Sequence, residues 1–206
     1  VNGYAIGGVF LIRLKRVRPK RLPIRWGIRS ENAAHRIAVE WESEGQSMHG
    51  VDIPRRDTDS WLNSLAGGKL FPGIHQHASF TIDETDNYHS VSMASDDGRA
   101  TVRVSGNVSD KFTESSVFNS LDAASDFFAQ ESLGFSGTSK NGREEGLELK
   151  CRNWRVESLD VDGVQSSYFE DTERFPTGTD EFDCTLLMRD IVLEWHGRPD
   201  LCCSAT

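Results

Sequence analysis

Residues 74–108 read IHQHASFTIDETDNYHSVSMASDDGRATVRVSGNV, and this stretch decides the fold. Apolar and polar side chains alternate in three segments, at residues 74–83, 88–94 and 100–108. Polar turns separate them, with Thr85-Asp86-Asn87 after the first segment and Ser95-Asp96-Asp97-Gly98 after the second. Because short turns rich in Asn, Asp and Gly join antiparallel strands, the stretch predicts three strands linked by two hairpins.

The same alternation extends toward both ends of the chain. It predicts a first strand around Phe10, Ile12 and Leu14, and further strands at residues 35–42, 48–53, 147–156 and 182–195. The turn Glu44-Gly45-Gln46 indicates another hairpin. Residues 182–195 are apolar on both faces, which predicts a central strand that is covered on both sides.

Two helices are expected among these strands. The first is predicted over residues 58–66, where Thr58 can cap the helix and Gly67-Gly68 can end it. The second is predicted over residues 120–130, with an apolar face of Leu121, Ala124, Phe127 and Phe128. Residues 136–146 (SGTSKNGREEG) follow neither period and predict a mobile loop. The whole pattern predicts an α+β fold built on an antiparallel sheet.

The composition is that of a globular protein without a membrane segment. The 206 residues carry a net charge of −9, and no apolar run approaches the roughly 18 residues that cross a bilayer. This length predicts one domain over residues 1–206. The first 30 residues hold eight basic and no acidic side chains, but no recognition pattern accompanies them, so neither nucleic acid nor a membrane is expected as a partner. Four cysteines without a paired spacing, and no secretory leader pattern, predict a cytoplasmic protein.

His75 and His77 form a candidate metal site. They share one face of the predicted strand at a separation of roughly 7 Å, which two metal ligands can use. The proteins called cupins use such an HxH pair together with a Glu three or four residues later, and Thr81 and Ile82 stand at those positions here. Because a third ligand is missing, we expect a solvated pair, with no metal and no cofactor.

Lys69 and the pair Arg55-Arg56 are the other candidate functional residues. A lysine whose pKa is lowered can form a Schiff base, but the sequence shows no burial of Lys69 and favours the alternative that it is a cation complementing the end of the first helix. Strand alternation turns one of the two arginines inward and the other outward. An inward guanidinium can bind the carboxylate of a ligand, and the alternative is a salt bridge to Asp52 or Asp57.

Several catalytic motifs are absent from the sequence. It contains no GxSxG, GxxxxGK[ST] or HExxH, and no GxGxxG after a strand. Hydrolysis by a nucleophile elbow, phosphoryl transfer, zinc proteolysis and hydride transfer on a Rossmann domain therefore lose their main support.

Five motifs follow one another in a recognisable order. They are residues 30–36 (SENAAHR), 53–58 (IPRRDT), 65–73 (LAGGKLFPG), 116–118 (SVF) and 181–189 (EFDCTLLMR). Their order resembles a bacterial conserved family of unknown function, which is itself distantly similar to acetoacetate decarboxylase. The resemblance spans nearly the whole chain. It implies a single α+β domain in which a strongly curved antiparallel sheet forms a cone or barrel around a small-molecule cavity.

One position departs from acetoacetate decarboxylase. The Schiff-base lysine of that enzyme follows an aromatic-proline pair, and Gly73 holds the place after Phe71-Pro72 here. The resemblance therefore implies the cavity but not the imine mechanism. We expect a small organic acid or carbonyl compound in a pocket lined by at least two of Arg55, Lys69, His75 and His77. An enzyme without a lysine nucleophile, a non-catalytic binding or sensing module and an HxH metalloenzyme are the three alternatives.

Overall fold

The computed structural model of the protein describes residues 1–18, 27–43, 45–61, 73–137 and 143–202, and strands account for most of them. In chain order the strands are β1 (Gly7–Val17), β2 (Ile28–Ser43), β3 (Gln46–Thr58), β4 (His75–Glu84), β5 (Tyr88–Ser95), β6 (Thr101–Ser109), β7 (Leu133–Gly137), β8 (Arg143–Arg152), β9 (Glu157–Ser166), β10 (Leu186–Leu187) and β11 (Val192–Cys202). One helix, α1 (Leu121–Gln130), lies within the described residues, between β6 and β7.

The strands form one open sheet whose branches meet at β3. Along one edge of β3 runs β2, and β1 pairs with β2, both in antiparallel orientation. Along the other edge, β7 pairs in parallel at Val51 and Asp52, and β4 pairs in parallel from Arg56 to Thr58. From β4 the sheet continues through β5, β6, β9 and β10, and from β7 it continues through β8 and β11. The strand β3 therefore changes its neighbour partway along one edge.

The three predicted hairpins and the second helix are confirmed. The pairs β2–β3, β4–β5 and β5–β6 are antiparallel, and each is joined by a turn predicted from the sequence. Ser120 caps α1 because its Oγ accepts a hydrogen bond of 3.1 Å from the backbone N–H of Ala123. Ala124 on the predicted apolar face is fully buried.

The predicted fold class is wrong. The described residues form a mainly β structure with one helix, not an α+β fold with two, and the sheet is mixed, not antiparallel. The connection from β3 to β4 spans residues 59–74 and is longer than the roughly twelve residues that a parallel crossover needs. Turn signals in the sequence indicate only antiparallel neighbours, so they do not reveal this parallel pair. The sheet is also open instead of closing into a cone or barrel, because β1, β10 and β11 each pair with a single strand of the described chain.

Three local predictions also need correction. Thr58 is the last residue of β3, and residues 62–66 of the predicted first helix lie outside the described residues. The segment 182–195 is not a central strand. Asp190, whose φ of 51° is left-handed, separates β10 from β11, and these two strands lie at two different margins of the sheet. The predicted loop at 136–146 begins inside β7 and ends inside β8, and only residues 138–142 of it lie outside the described part of the chain.

Apolar side chains pack on both faces of β2. One face contributes Ala33 to a cluster with Ala78, Met93, Ala100 and Val102. The opposite face contributes Ala34, which packs with Val51, Ile53 and Phe10. This second face also carries Arg56, which stands opposite Ala34 in the register, and it is the face on which the candidate site forms. No helix among the described residues is long and apolar enough to cross a membrane.

Candidate functional site

A cavity of about 320 Å³ opens where β3 passes from one neighbour to the other. The pairing with β7 stops at Asp52 and the pairing with β4 starts at Arg56, so a gap is left along the edge of β3. Pro54 lies in this gap, where a residue without an N–H group leaves no donor unsatisfied. We call the cavity the β3 notch, and its lining residues are Asp52, Ile53, Pro54, Arg56, Ile74, Ser136, Gly137 and Glu144.

Arg56 provides the positive charge of the β3 notch. Its Nε and Nη2 donate hydrogen bonds of 3.1 and 2.9 Å to Ser136 Oγ, which fixes the guanidinium against β7. No carboxylate within the described ranges forms a salt bridge with it. Burial lowers the pKa of Arg56 to about 10, which is still well above neutral pH, so the side chain stays charged.

Arg36 adds a second cation behind the first. It and Arg56 both line a small inner cavity of about 20 Å³. The guanidinium of Arg36 lies over the ring of Phe10, 4.1 Å from its centroid, and its buried Nε has no hydrogen-bond partner among the described residues. Burial, and then the charge of Arg56, lower the pKa of Arg36 to about 9.

Two neighbouring guanidinium groups with no carboxylate partner among the described residues are an unfavourable arrangement for the protein alone. Burying a charge costs free energy unless an opposite charge or several hydrogen bonds compensate for it. Arg36 and Arg56 also repel each other, as the lowered pKa of Arg36 shows. An anion bound in the β3 notch would relieve both effects, because a carboxylate can accept two parallel hydrogen bonds from one guanidinium.

His75 is the uncharged neighbour of this pair. It stands beside Arg56 in the register of β3 and β4, and its Nδ1 lies 3.3 Å from the carbonyl oxygen of Gly73, to which a neutral ring can donate. Burial, and then the charge of Arg56, lower the pKa of His75 to about 4. The ring is therefore neutral at pH 7 and adds no positive charge to the site.

Two carboxyl groups occupy another part of the notch lining. Burial raises the pKa of Asp52, and burial together with the charge of Asp52 raises the pKa of Glu144. No lysine or arginine of the described chain forms a salt bridge with either group. The β3 notch therefore has a cationic part at Arg56 and an acidic part at Asp52 and Glu144.

Gly73 is required by the close approach of β7 to the start of β4. Its φ of 87° lies in the left-handed region, and a Cβ there would meet Ser136 Cβ at 2.8 Å. Its N–H donates a hydrogen bond of 3.1 Å to Glu145 Oε2. Any side chain at this position would therefore disturb the contact between Ser136 and Arg56.

Arg55 takes the salt bridge that the sequence offers as its alternative role. Its Nε and Nη2 donate to the fully buried Asp57 at 2.9 and 2.7 Å, and its Nη1 and Nη2 donate to Asp97 at 3.2 and 3.0 Å. The hydrogen bond from Arg55 is the main cause that lowers the pKa of Asp97. As alternation predicts, the two arginines face opposite ways, and only Arg56 lines the β3 notch.

The other predicted site residues are not brought together in the cavity. Nδ1 of His77 lies 2.7 Å from Asp96 Oδ2, and its ring stacks on Trp61 with 3.9 Å between the centroids. His75 follows the lining residue Ile74 in the chain but does not itself line the notch. Lys69 lies outside the described residues. In the part of the chain that the structure describes, no three His, Cys, Asp or Glu side chains are grouped so as to hold a metal ion. Ligand binding by Arg55, Lys69, His75 and His77 stays a prediction.

Three polar lining residues of the β3 notch, and Arg36 behind it, were not predicted as binding residues. Arg36 follows His35 in a predicted strand, and alternation with Ile37 could have placed it on the face of Arg56. The sequence offers Asp52 only as a salt-bridge partner of an arginine. Ser136 and Glu144 belong to the segment that the sequence assigns to a mobile loop, and no pattern within it reveals that β7 and β8 border a cavity.

Comparisons with known proteins found similarity to a solved structure but not to a family model. No family model and no curated protein matches the sequence. A solved structure, acetoacetate decarboxylase from Legionella pneumophila subsp. pneumophila str. Philadelphia 1, is similar with 11% identity and a TM-score of 0.46. The match covers 96% of this chain and 82% of that one. Membership in the bacterial family of unknown function stays a prediction.

Proposed function

We propose that the protein binds a small organic acid in the β3 notch, with the carboxylate of the ligand on the guanidinium of Arg56. The observation that carries this proposal is the half-buried Arg56, which lines a cavity and has Ser136 but no carboxylate as its partner among the described residues. Arg36 strengthens the positive potential from behind. The apolar side chains of Ile53, Pro54 and Ile74 supply contacts for the rest of a short ligand.

Binding is favoured over acid–base catalysis by the state of His75. A general base works best when its pKa lies near the working pH, and the pKa of His75 is about 4. A ring of such low basicity beside Arg56 adds no further positive charge to the site. The alternative of a metalloenzyme has no supporting cluster among the described residues, because His77 is turned to Asp96 and Trp61.

Calorimetric titration with butyrate tests the proposal. Arg56→Gln should weaken butyrate binding by about tenfold or more, since a charge-assisted hydrogen bond contributes about 1.5–3 kcal/mol. The matched control is Arg103→Gln, which removes an exposed arginine of β6 and should leave the affinity unchanged. Equal affinities of the wild-type protein and Arg56→Gln, or no butyrate binding by the wild-type protein at millimolar concentration, would refute the proposal.

A further inference from the structure

The small inner cavity behind the β3 notch brings two arginine side chains to one space. Ala34 and Arg36 lie on the same face of β2 by alternation, and Ala34 stands opposite Arg56 in the register of β2 and β3. Arg36 and Arg56 are therefore diagonal neighbours on one face of the sheet, a relation that places Cα atoms roughly 7–8 Å apart. Arginine side chains can meet across this distance, and both line the same cavity of about 20 Å³.

The surroundings of Arg36 leave its charge uncompensated. Its buried Nε has no hydrogen-bond partner within the described ranges, and its guanidinium packs over the ring of Phe10. None of the described residues that line the inner cavity carries a carboxyl group. Glu145 stands opposite Ser136 on this face, but it accepts a hydrogen bond from the N–H of Gly73 and does not line the cavity. The described chain therefore offers this space two cations and no anion.

The size of the inner cavity fits one monatomic anion. A cavity needs roughly 10–15 Å³ to hold one water-sized particle, so this one admits such a particle but is too small for a polyatomic anion such as sulfate. The two guanidinium groups and the hydroxyl group of Ser132 can donate hydrogen bonds to the particle, and apolar side chains such as Val51 and Leu147 reduce screening by water. A water molecule fits the same space, but it would leave both positive charges uncompensated.

We propose that the inner cavity binds a halide ion, which is chloride under physiological conditions, between the guanidinium groups of Arg36 and Arg56. This site goes beyond the proposed carboxylate site, because Arg36 lines only the inner cavity whereas Arg56 lines both cavities. The halide supplies the opposite charge that a buried cation needs. Because the cavity exists only in the folded chain, the bound ion also stabilises the folded protein.

Chloride-35 NMR measures this binding in solution, because chloride that exchanges with a protein site gives a broader resonance. The wild-type protein should broaden the resonance, and bromide should reverse the broadening by competing for the same site. Sulfate should need a concentration about tenfold higher than bromide at equal ionic strength, because it does not fit the inner cavity. This comparison uses only the wild-type protein.

The variant Arg36→Met assigns the broadening to the inner cavity. It removes the charge but keeps a long unbranched side chain, and it should weaken chloride binding by about tenfold or more, because charge-assisted hydrogen bonds are lost. Chloride should also raise the urea midpoint of the wild-type protein more than that of Arg36→Met at equal ionic strength, and a cooperative transition shows that the variant is folded. The matched control is Arg103→Met, which removes an exposed arginine of β6 and should bind chloride as the wild-type protein does.

Three results would overturn the inference. The first is the absence of broadening by the wild-type protein. The second is sulfate that competes as well as bromide, which would place the ion on an open surface. The third is equal broadening by Arg36→Met and the wild-type protein, which would place the ion away from Arg36. None of these results bears on butyrate binding and its loss in Arg56→Gln, so the proposed function can stand where the halide site fails, and the reverse.

Discussion

His35 is expected to make the folded protein sensitive to acid. Its side chain is fully buried, and neither ring nitrogen has a hydrogen-bond partner among the described residues. The ring packs against Tyr168, with 4.7 Å between the centroids. Burial, and then the charges of Arg55 and Arg174, lower the pKa of His35 from 6.5 to about 4. The native structure therefore holds this imidazole in its neutral form.

The size of the effect follows from the difference between the folded and the unfolded chain. The unfolded chain takes up the proton near pH 6.5, whereas the folded protein takes it up only near pH 4. A pKa that is lowered in the folded state stabilises the protein above pH 6.5, and this stabilisation is lost as the pH falls from 6.5 toward 4. Between pH 7.5 and pH 5 the loss due to His35 alone is about 2 kcal/mol.

Urea unfolding at pH 7.5 and pH 5 measures this loss. The variant His35→Leu cannot take up a proton, so its free energy of unfolding should fall by about 2 kcal/mol less than that of the wild-type protein over this range. Any packing defect of the variant is present at both pH values and cancels in the comparison. Part of the acid sensitivity should remain, because the pKa of His75 is also lowered to about 4. The exposed His49 supplies the control variant His49→Gln, which should behave as the wild-type protein.

Two results would contradict this reasoning. One is an equal loss of stability in the wild-type protein and in His35→Leu between the two pH values. The other is a His35 ring that titrates near pH 6.5 in a proton NMR titration of the folded protein, because the buried environment would then impose no cost on the charged form.

Two further predictions concern positions occupied by glycine. In urea unfolding, Gly106→Ala should lower the free energy of unfolding by about 1–3 kcal/mol, because the new Cβ would meet Asp160 O at 2.3 Å. The control is Gly163→Ala in the paired strand β9, whose new Cβ meets nothing within 4 Å and should leave the free energy of unfolding nearly unchanged. Equal effects of the two substitutions would show that the close approach is relaxed in solution. Incubation with acetoacetate and borohydride should leave the intact mass unchanged, because the sequence resemblance implies that Gly73, which has no amine, stands at the Schiff-base position; a reduced adduct mapped to Lys69 would refute this.

The sequence predicts the local antiparallel parts of the fold because their signals are local. The turn after Asp83 and the turn after Ala94 each set a hairpin within a few residues, and the cap at Ser120 marks the start of α1. The parallel contacts of β3 carry no such signal, since β4 and β7 reach it only after long connections. The openness of the sheet is equally hidden, because it depends on which strands stay unpaired after all the others have formed.

The candidate site was predictable to the same local extent. Alternation at Arg55-Arg56 predicts that the two side chains face opposite ways, and the sequence offers a salt bridge as the alternative to ligand binding by one of them. It does not say which one, because the choice depends on Asp97 from a distant hairpin and on Ser136 from β7. The predicted histidine pair shares a face as expected, but its two rings have different neighbours, namely Arg56 for His75 and Asp96 for His77.

An irregularity in β3 explains why Arg56 shares a face with Val51 and Ile53. The register of β2 and β3 pairs His35 with Arg55 but Ile37 with Asp52, so β3 contains one residue more than β2 between these pairs. Such a bulge reverses the alternation on the longer strand. Odd-numbered residues before the bulge, Val51 and Ile53, therefore share a face with the even-numbered Arg56 after it, and all three line the small cavity that also holds Arg36. Strict alternation along β3 would place Arg56 on the face opposite Val51 and Ile53. The bulge instead places the charge of Arg56 against an apolar surface. Water screens the charge less there, so an incoming carboxylate is attracted more strongly.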